Sequence, residues 1–167
     1  MTNVGQELSI LIVDDNPDHI RIISWALEQN KNKVRTILVR DGQTALDYLT
    51  SKSSVDESGN QAAWPDLIFL DLNLPKVDGR EVLRFIKSTP TYRRIPVIVF
   101  SSSERQEDIS IAYELGANTY ISKSTVFDEF SQAMDVINRY WGQIALLPHT
   151  NPEGTDAITN FHPADRG

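Results

Sequence analysis

Five short runs of apolar, mostly β-branched residues recur along the chain, and polar or turn-forming residues bound each of them. Continuous apolar runs of this length are typical of strands buried on both faces, as the strands of a parallel sheet are. The predicted strands cover residues 10–13, 36–39, 67–70, 97–100 and 119–121. We therefore expect a sheet that is covered by helices.

The first helix is marked by its end signal. Asn16 is a favourable N-cap residue, and Pro17 fits the first helical position because proline has no N–H to leave unpaired there. The apolar positions that follow have helical spacing and form one stripe, made of Ile20, Ile23, Ala26 and Leu27. We expect this stripe to face the sheet.

Two later segments also have the pattern of helices. Ser103 stands three residues before Gln106, which predicts a capping box, and Gly116 predicts a left-handed stop for a helix over about residues 104–115. The last helix is predicted over about residues 126–141, with an apolar stripe of Phe127, Phe130, Met134, Ile137 and Trp141. This stripe is interpreted as core rather than as a ligand site.

The alternation of five strands with five helices predicts a doubly wound α/β fold. Right-handed crossovers place the strands in the flavodoxin-like order 2-1-3-4-5, in a three-layer sandwich whose site lies at the carboxyl ends of the strands. We assign residues 1–147 to this domain. The polar, Ser-rich stretch 50–65 is interpreted as a mobile or functional loop, and residues 148–167 as a mostly disordered tail.

The composition narrows the possible functions. The chain has 167 residues, 40% of them hydrophobic, and a formal net charge of −7, so we expect one soluble domain that nucleic acid would repel. It has no cysteine, which excludes disulfides, thiolate metal sites and a thiol nucleophile. No apolar run approaches the roughly 20 residues of a membrane-spanning helix, and no signal peptide is recognisable. We expect a cytoplasmic protein without membrane contact.

Acidic residues gather where two of the predicted strands end. Asp14 and Asp15 follow the first strand, and Asp71 follows the third. If these strands are parallel neighbours, the three carboxylates converge at one edge of the sheet and repel one another. A hard divalent cation compensates such a cluster, and Mg²⁺ takes one or two carboxylates together with phosphate oxygens. The pattern therefore predicts a site for Mg²⁺ and a phosphoryl group.

The ends of two further strands carry groups that phosphoryl transfer also needs. Ser101 and Ser102 follow the fourth strand, and either offers a hydroxyl to a phosphoryl oxygen. Lys123 follows the fifth strand and offers an ammonium that neutralises charge in the transition state. With Asp71 as nucleophile, the product would be an aspartyl phosphate.

Each of these residues also has an ordinary structural interpretation. The Asp pair before Asn16 could only cap a helix, the serines could form a turn, and Lys123 could be a solvated charge. What favours the functional interpretation is that all of them fall at the carboxyl ends of strands of one sheet.

The sequence resembles the receiver domain of two-component response regulators over roughly residues 8–142. The resemblance is carried by the segments ILIVDDNPD, RDGQTALDYL, DLIFLDLNLPKVDGREVLRFIK, IPVIVFSSS and ELGANTYISK. It implies that Asp14 and Asp15 are the acidic pair, Asp71 the phosphoacceptor, Ser101 the conserved hydroxyl and Lys123 the conserved lysine.

The resemblance implies roles for two further residues, and the sequence departs from the family pattern in two places. Asn73 would contribute its backbone carbonyl to Mg²⁺, and Tyr120 falls at the aromatic switch position, with a half-exposed strand aromatic as the alternative. Ser124 stands where the family usually has a proline in a cis peptide bond, which puts the geometry after Lys123 in question. The stretch 50–65 is longer than usual, and with the chain's size it resembles the small response regulators of phytochrome histidine kinases.

The implied function is that of a stand-alone switch rather than a metabolic enzyme. A sensor histidine kinase, of phytochrome type by the resemblance, would supply the phosphoryl group, and the protein would catalyse its own phosphotransfer and slow autodephosphorylation. Signal would leave through the face of the fourth helix, fifth strand and fifth helix, where Arg105, Tyr113 and Tyr120 are candidate contacts. Receivers often form homodimers through this face. We expect the signal to be passed on by contact with a protein or by onward transfer of the phosphoryl group from Asp71, and not through nucleic acid.

Three other functions fit parts of the sequence. A phosphatase of the haloacid dehalogenase type also forms an aspartyl phosphate, but it has a second Asp two residues after the nucleophile, where this chain has Asn73. A binding module that no longer accepts phosphate would not need the full set of site residues. A flavodoxin would need a hydroxyl- and glycine-rich phosphate loop after the first strand, where this chain has acidic residues.

Overall fold

The computed structural model describes residues 7–29, 33–51, 64–123 and 127–148. Most of the predicted loop 50–65, the predicted tail from residue 149 onward, and Ser124 lie outside the described residues, as does the side chain of Phe127. The strands are β1 (Leu8–Val13), β2 (Val34–Val39), β3 (Leu67–Asp71), β4 (Val97–Ser101) and β5 (Thr119–Ser122). The helices are α1 (Pro17–Glu28), α2 (Gly42–Thr50), α3 (Gly79–Ser88), α4 (Gln106–Glu114) and α5 (Phe127–Arg139), and a π-helical turn, Tyr140–Ile144, follows α5.

The five strands form one parallel sheet in the order β2-β1-β3-β4-β5, so the predicted fold class and strand order are confirmed. In the register of the central pairs, Val13 lies opposite Leu70 and Asp71 lies opposite Phe100. The carboxyl ends of β1, β3 and β4 are therefore level with one another. This alignment brings the residues at the strand ends to one edge of the sheet.

Helices cover both faces of the sheet, and each face has its own buried cluster. On one face α1 and α5 pack through Ile20, Ile23, Leu27, Phe130, Met134 and Ile137. On the other face α2, α3 and α4 pack through Ala45, Leu49, Val82, Leu83, Ile86 and Ala112. The predicted stripe of the first helix is thus core, as are Phe130, Met134 and Ile137 of the last helix, and Trp141 packs partly against the first of these clusters.

The predicted burial of all five strands on both faces is correct only for the centre of the sheet. Every residue of β3 and β4 is buried, whereas β2 alternates between partly exposed and exposed positions up to Val39, and all four residues of β5 are partly exposed. The reason is that β2 and β5 are the edge strands, each with one neighbour and incomplete helical cover.

The two predicted helix starts had different outcomes. Asn16 caps α1 as predicted, since its side chain accepts a hydrogen bond of 2.9 Å from the Asp18 amide. The capping box at Ser103 is wrong, because α4 begins at Gln106, and Arg105, which lies at its N-cap, makes no side-chain cap bond. The Ser103 hydroxyl donates to Asp108 at 2.6 Å, and its oxygen accepts from the Arg105 amide at 3.3 Å. The predicted stop is confirmed, since Gly116 has a φ of +103°.

The loop after β3 returns the chain tightly onto the strand that it leaves. The Gly79 amide donates to the Leu72 carbonyl at 2.9 Å, and a Cβ atom at Gly79 would overlap the Asp71 carbonyl oxygen. Only glycine fits at this approach of α3 to the end of β3. The first turn of α3 is therefore held directly beside Asp71.

Candidate functional site

Three carboxylates meet at the carboxyl edge of the sheet, as the sequence predicted. Asp14 follows β1 directly and Asp71 is the last residue of β3, and these two strands are parallel neighbours. One carboxylate oxygen from each of Asp14, Asp15 and Asp71 lies within 4.8 Å of the others. Asp14 and Asp71 are buried, whereas Asp15 is exposed at the mouth of the cluster. A ligand from solvent can therefore reach the cluster from the side of Asp15.

Lys123 reaches into this cluster from the end of β5. Its Nζ lies 2.9 Å from Asp71 Oδ2 and 2.8 Å from Asp14 Oδ2, and its side chain is only 7% exposed. Its backbone N–H donates to the Ser101 carbonyl at 2.8 Å, which fixes the start of the loop after β5. The ammonium is thus held against the two buried carboxylates by backbone and side chain together.

Each buried carboxylate also has a local partner. Asp14 Oδ1 accepts from the Asn16 amide at 2.9 Å, and Asp71 Oδ1 accepts from the Asn73 amide at 3.1 Å. These bonds leave the Oδ2 atoms of both residues directed at Lys123. Asn73 itself is exposed, and its N–H belongs to the turn that leads away from Asp71.

The electrostatics of the cluster favour a cation. Burial raises the pKa of Asp71 above its ordinary value, Lys123 opposes this rise, and the neighbouring Asp14 carboxylate adds to it. Three carboxylates and one ammonium leave a formal charge of −2. Asp14 Oδ2 is buried and, beyond its ion pair, accepts no aligned hydrogen bond from the described residues. A hard divalent cation with oxygen ligands fits this donor set.

His19 borders the same cluster and was not singled out by the sequence analysis. Its Nδ1 lies 3.5 Å from Asp14 Oδ2 and is buried without a hydrogen-bond partner among the described residues. The only available signal was its position in the first turn of α1, five residues after Asp14. That spacing does not distinguish a site residue from an ordinary helical histidine.

Ser101 and Tyr120 are joined through the loop that follows β4. Ser101 is fully buried at the end of β4, and its Oγ accepts from the Ser103 amide at 3.2 Å. The Tyr120 hydroxyl donates to the Ser103 carbonyl at 2.7 Å, while the Tyr120 amide donates to the Tyr113 hydroxyl at 3.1 Å. The hydroxyl residue and the aromatic residue predicted from the sequence are therefore connected by one intervening residue.

The sheet order and the residues at its carboxyl edge define a receiver, a class of phosphoryl-accepting signalling domain. A family model described as "Response regulator receiver domain" matches residues 10–135, and the chain belongs to this family. Membership places the protein among signalling switches rather than metabolic enzymes, and it implies a histidine kinase as partner. The phosphatase and phosphate-independent alternatives are not favoured.

One relative and two solved structures are similar to this chain over most of its length. Response regulator Rcp1 of Synechocystis sp. is 36% identical over 139 residues, which are 83% of this chain and 92% of that protein. The crystal structure of the phosphorylated cyanobacterial phytochrome response regulator RcpA is 42% identical, with a TM-score of 0.78 over 86% of this chain and 100% of that one. The Mn²⁺-bound structure of Rcp1 is 35% identical, with a TM-score of 0.77 over 85% and 99% of the two chains.

Two further expectations concern a metal ion and the membrane. The acidic pocket is that of a family that binds divalent metal, and one of the relatives was solved with Mn²⁺. Among the described residues, none of the helices has the length and apolar character needed to cross a membrane.

Proposed function

We propose that this protein is a response regulator that accepts a phosphoryl group from a sensor histidine kinase on Asp71, in a reaction that depends on Mg²⁺. The observation that carries the proposal is the contact of Asp71 Oδ2 with Lys123 Nζ at 2.9 Å, inside a cluster of three carboxylates open to solvent through Asp15. A nucleophile, a fixed positive charge and a set of oxygen ligands for a metal are thus adjacent.

The reaction assigns a role to each of these groups. A carboxylate oxygen of Asp71 forms the new P–O bond while the P–N bond of the kinase phosphohistidine breaks, and the imidazole leaves with the electron pair. Lys123 offers its ammonium to the phosphoryl oxygens as charge develops on them. Mg²⁺, held by Asp14, Asp15, Asp71 and the Asn73 carbonyl, would supply further positive charge. Slow hydrolysis of the acyl phosphate at the same site would end the signal.

The output follows from the position of Ser101 and Tyr120. In the proposal, the Ser101 hydroxyl engages the phosphoryl group, and Tyr120 follows through the loop to which it is bonded. The surface formed by α4, β5 and α5 then changes, which is the form that an allosteric switch takes.

This surface has the composition of a protein-binding face. Tyr113 is 48% exposed, Val136 is 68% exposed and Tyr140, just after α5, is 50% exposed, with Arg105 at the start of α4. Exposed aromatic and aliphatic side chains of this size are typical of interfaces. We propose that the face binds a second copy of the chain or a downstream protein.

The kinase is proposed to be of the phytochrome type. The support is the 42% identity to RcpA, which is described as a cyanobacterial phytochrome response regulator. Phosphoryl transfer from a purified phytochrome histidine kinase should therefore be faster than transfer from an unrelated histidine kinase under the same conditions.

The proposed reaction is tested by intact mass after incubation with phosphoramidate, with and without Mg²⁺. We expect one phosphoryl adduct that requires Mg²⁺ and is absent from Asp71→Asn, because a carboxamide cannot take its place as nucleophile. Asp66→Asn is the matched control, since Asp66 immediately precedes the same strand at its other end and accepts a hydrogen bond from the Ser9 amide that Asn can also accept. The adduct should form on this control as on the wild type.

An adduct on Asp71→Asn would place the phosphoacceptor elsewhere. No adduct on the wild type, with phosphoramidate or with a kinase, would contradict the proposed function.

A further inference from the structure

Ser103, in the loop between β4 and α4, is held at three separate atoms. Its amide donates to Ser101 Oγ at 3.2 Å, and its carbonyl accepts from the Tyr120 hydroxyl at 2.7 Å. Its own hydroxyl donates to Asp108 Oδ2 at 2.6 Å, a short bond of the kind that an ionised acceptor forms. The position of this residue is therefore fixed from three directions.

Asp108 is in turn held by α3. Its Oδ1 accepts from Arg80 Nη2 at 2.9 Å, so the two carboxylate oxygens of Asp108 divide between the loop and the neighbouring helix. The Ser103 hydroxyl and then Arg80 lower the pKa of Asp108, which keeps this carboxylate ionised. Arg80 is also paired with Asp78, the N-cap residue of α3, at 3.4 Å. The carboxylate that holds Ser103 is thus anchored to the first turn of α3.

The bond from Ser103 to Ser101 settles how the Ser101 hydroxyl can be used. A serine hydroxyl has one proton to donate and two lone pairs that accept. Because the Ser103 amide occupies a lone pair of Ser101 Oγ, the hydroxyl proton stays available for an acceptor such as a phosphoryl oxygen. A shift of Ser103 would free Ser101 Oγ to rotate and would weaken this preorganisation.

We propose that Asp108, clamped by Arg80, is a positioning residue that acts through Ser103 to orient the Ser101 hydroxyl for the phosphoryl group. The proposal rests on the proposed function, since it concerns the same reaction at Asp71. It adds a connection from the site to α3 and α4 that does not pass through Asp14, Asp15, Asp71 or Lys123. We call the three residues Arg80, Asp108 and Ser103 the loop clamp.

The test compares Asp108→Ala, Ser103→Ala and the double variant with two controls. Glu107→Ala removes the neighbouring carboxylate in the same first turn of α4. The Glu107 side chain is exposed and pairs with Arg105 at 2.9 Å. Ser102→Ala removes the exposed hydroxyl beside Ser103. The first readout is the rate of phosphorylation by phosphoramidate as a function of its concentration. The second is hydrogen exchange of the loop amides without any phosphodonor.

We expect Asp108→Ala to lower the maximal phosphorylation rate about tenfold, the effect of losing a hydrogen bond to a charged group, at an unchanged half-saturating phosphoramidate concentration. Loop amides should exchange about tenfold faster. The double variant should be no slower than Ser103→Ala, because the two residues act in series. Both controls should match the wild type, and the affinity for Mg²⁺ should be unchanged in every variant, which shows that the carboxylate cluster is intact.

Rescue by a conservative variant separates positioning from general stability. Asp108→Asn keeps an oxygen that accepts from Ser103, so it should recover part of the rate that Asp108→Ala loses. A wild-type rate in Asp108→Ala, a faster rate, or losses that multiply in the double variant would overturn the proposal and leave the proposed function standing. A wild type that takes no phosphoryl group would overturn both.

Discussion

Lys123 and Lys87 lie near opposite ends of the strands, and their surroundings differ in kind. Lys123, at the carboxyl edge, faces two carboxylates at 2.8 and 2.9 Å. Lys87, in the last turn of α3, donates to neutral oxygens: the Ile95 carbonyl at 2.7 Å, Asn118 Oδ1 at 3.0 Å and the Arg93 carbonyl at 3.3 Å. The first ammonium compensates charge, whereas the second joins segments of backbone.

The energetic consequences of burial are therefore opposite at the two edges. At Lys87, burial lowers the pKa to about 8, so the ionised form is the one that the fold disfavours. At Lys123 the carboxylates outnumber the ammonium, and the disfavoured ionised group is Asp71, whose pKa is raised by burial. The excess of negative charge around Lys123 is what a metal and a phosphoryl group can use.

The largest expected effect comes from Lys123→Met. Its removal leaves the Asp14 and Asp71 carboxylates buried without their countercharge, which should lower the free energy of unfolding by about 3 kcal/mol in metal-free buffer. Phosphorylation by phosphoramidate should slow by about 100-fold, because a fixed positive charge next to the reacting oxygens is lost. Urea unfolding and intact mass measure the two effects.

Added Mg²⁺ sharpens this prediction. A divalent cation replaces part of the lost positive charge, so Mg²⁺ should stabilise Lys123→Met more than it stabilises the wild type. Lys76→Met is the control, since Lys76 is 65% exposed and pairs with Asp41 outside the cluster. Equal stabilisation of Lys123→Met and the wild type by Mg²⁺ would show that the ammonium does not compensate these carboxylates.

A smaller effect is expected from the same substitution at the other edge. Lys87→Met removes the donor from the Ile95 carbonyl and from Asn118, but it also removes a desolvated charge, so the unfolding free energy should fall by only about 1 kcal/mol. The phosphorylation rate should stay within about twofold of the wild type, because no carboxylate of the site loses a partner. A tenfold change in this rate would mean that the two edges are coupled.

The last effect, no larger than the previous one, is a dependence of the free energy of unfolding on pH that arises from Lys87. Its pKa is about 8 in the folded chain and about 10.4 in an unfolded one, so between these values the unfolded chain binds more protons. The free energy of unfolding contributed by this group therefore rises with pH over that interval. The difference between wild type and Lys87→Met should grow by about 1 kcal/mol from pH 8 to 10, allowing for partial exposure to solvent.

Urea unfolding at pH 7, 8, 9 and 10 measures this growth. The range ends there because a lysine in the unfolded chain loses its proton at about pH 10.4, so the difference stops growing at higher pH. Burial also raises the pKa of Tyr92, but this residue is present in both proteins and cancels in the difference. A difference that stays flat or shrinks across the interval would show that the Lys87 ammonium is not disfavoured by the fold.

The carboxyl edge could be predicted from the sequence because two simple rules place it. Short apolar runs fix the strands, and parallel strands bring the residues after them to one edge. Asp14, Asp15, Asp71, Ser101 and Lys123 all follow from these rules in position. The roles of Asn73 and Tyr120 came only from family resemblance and remain predictions.

The contacts that sequence patterns did not reveal join distant segments. Arg80 and Asp108 are 28 residues apart, and Lys87 meets Asn118 across 31 residues, so each contact exists only after the helices pack. The failed capping box has the same origin. Ser103 has a local capping pattern, but its amide, carbonyl and hydroxyl are all used by bonds that the folded loop makes.

Helix α3 carries Arg80 in its first turn and Lys87 in its last, and these two residues have partners at opposite edges of the sheet. A residue inserted between them would turn one end relative to the other by about 100° and lengthen the helix by about 1.5 Å. Either the Asp108 contact or the Ile95 contact would then be lost, whatever residue was inserted. This stretch should therefore tolerate changes in its exposed side chains far better than insertions or deletions, which makes its length a more stringent constraint than its composition.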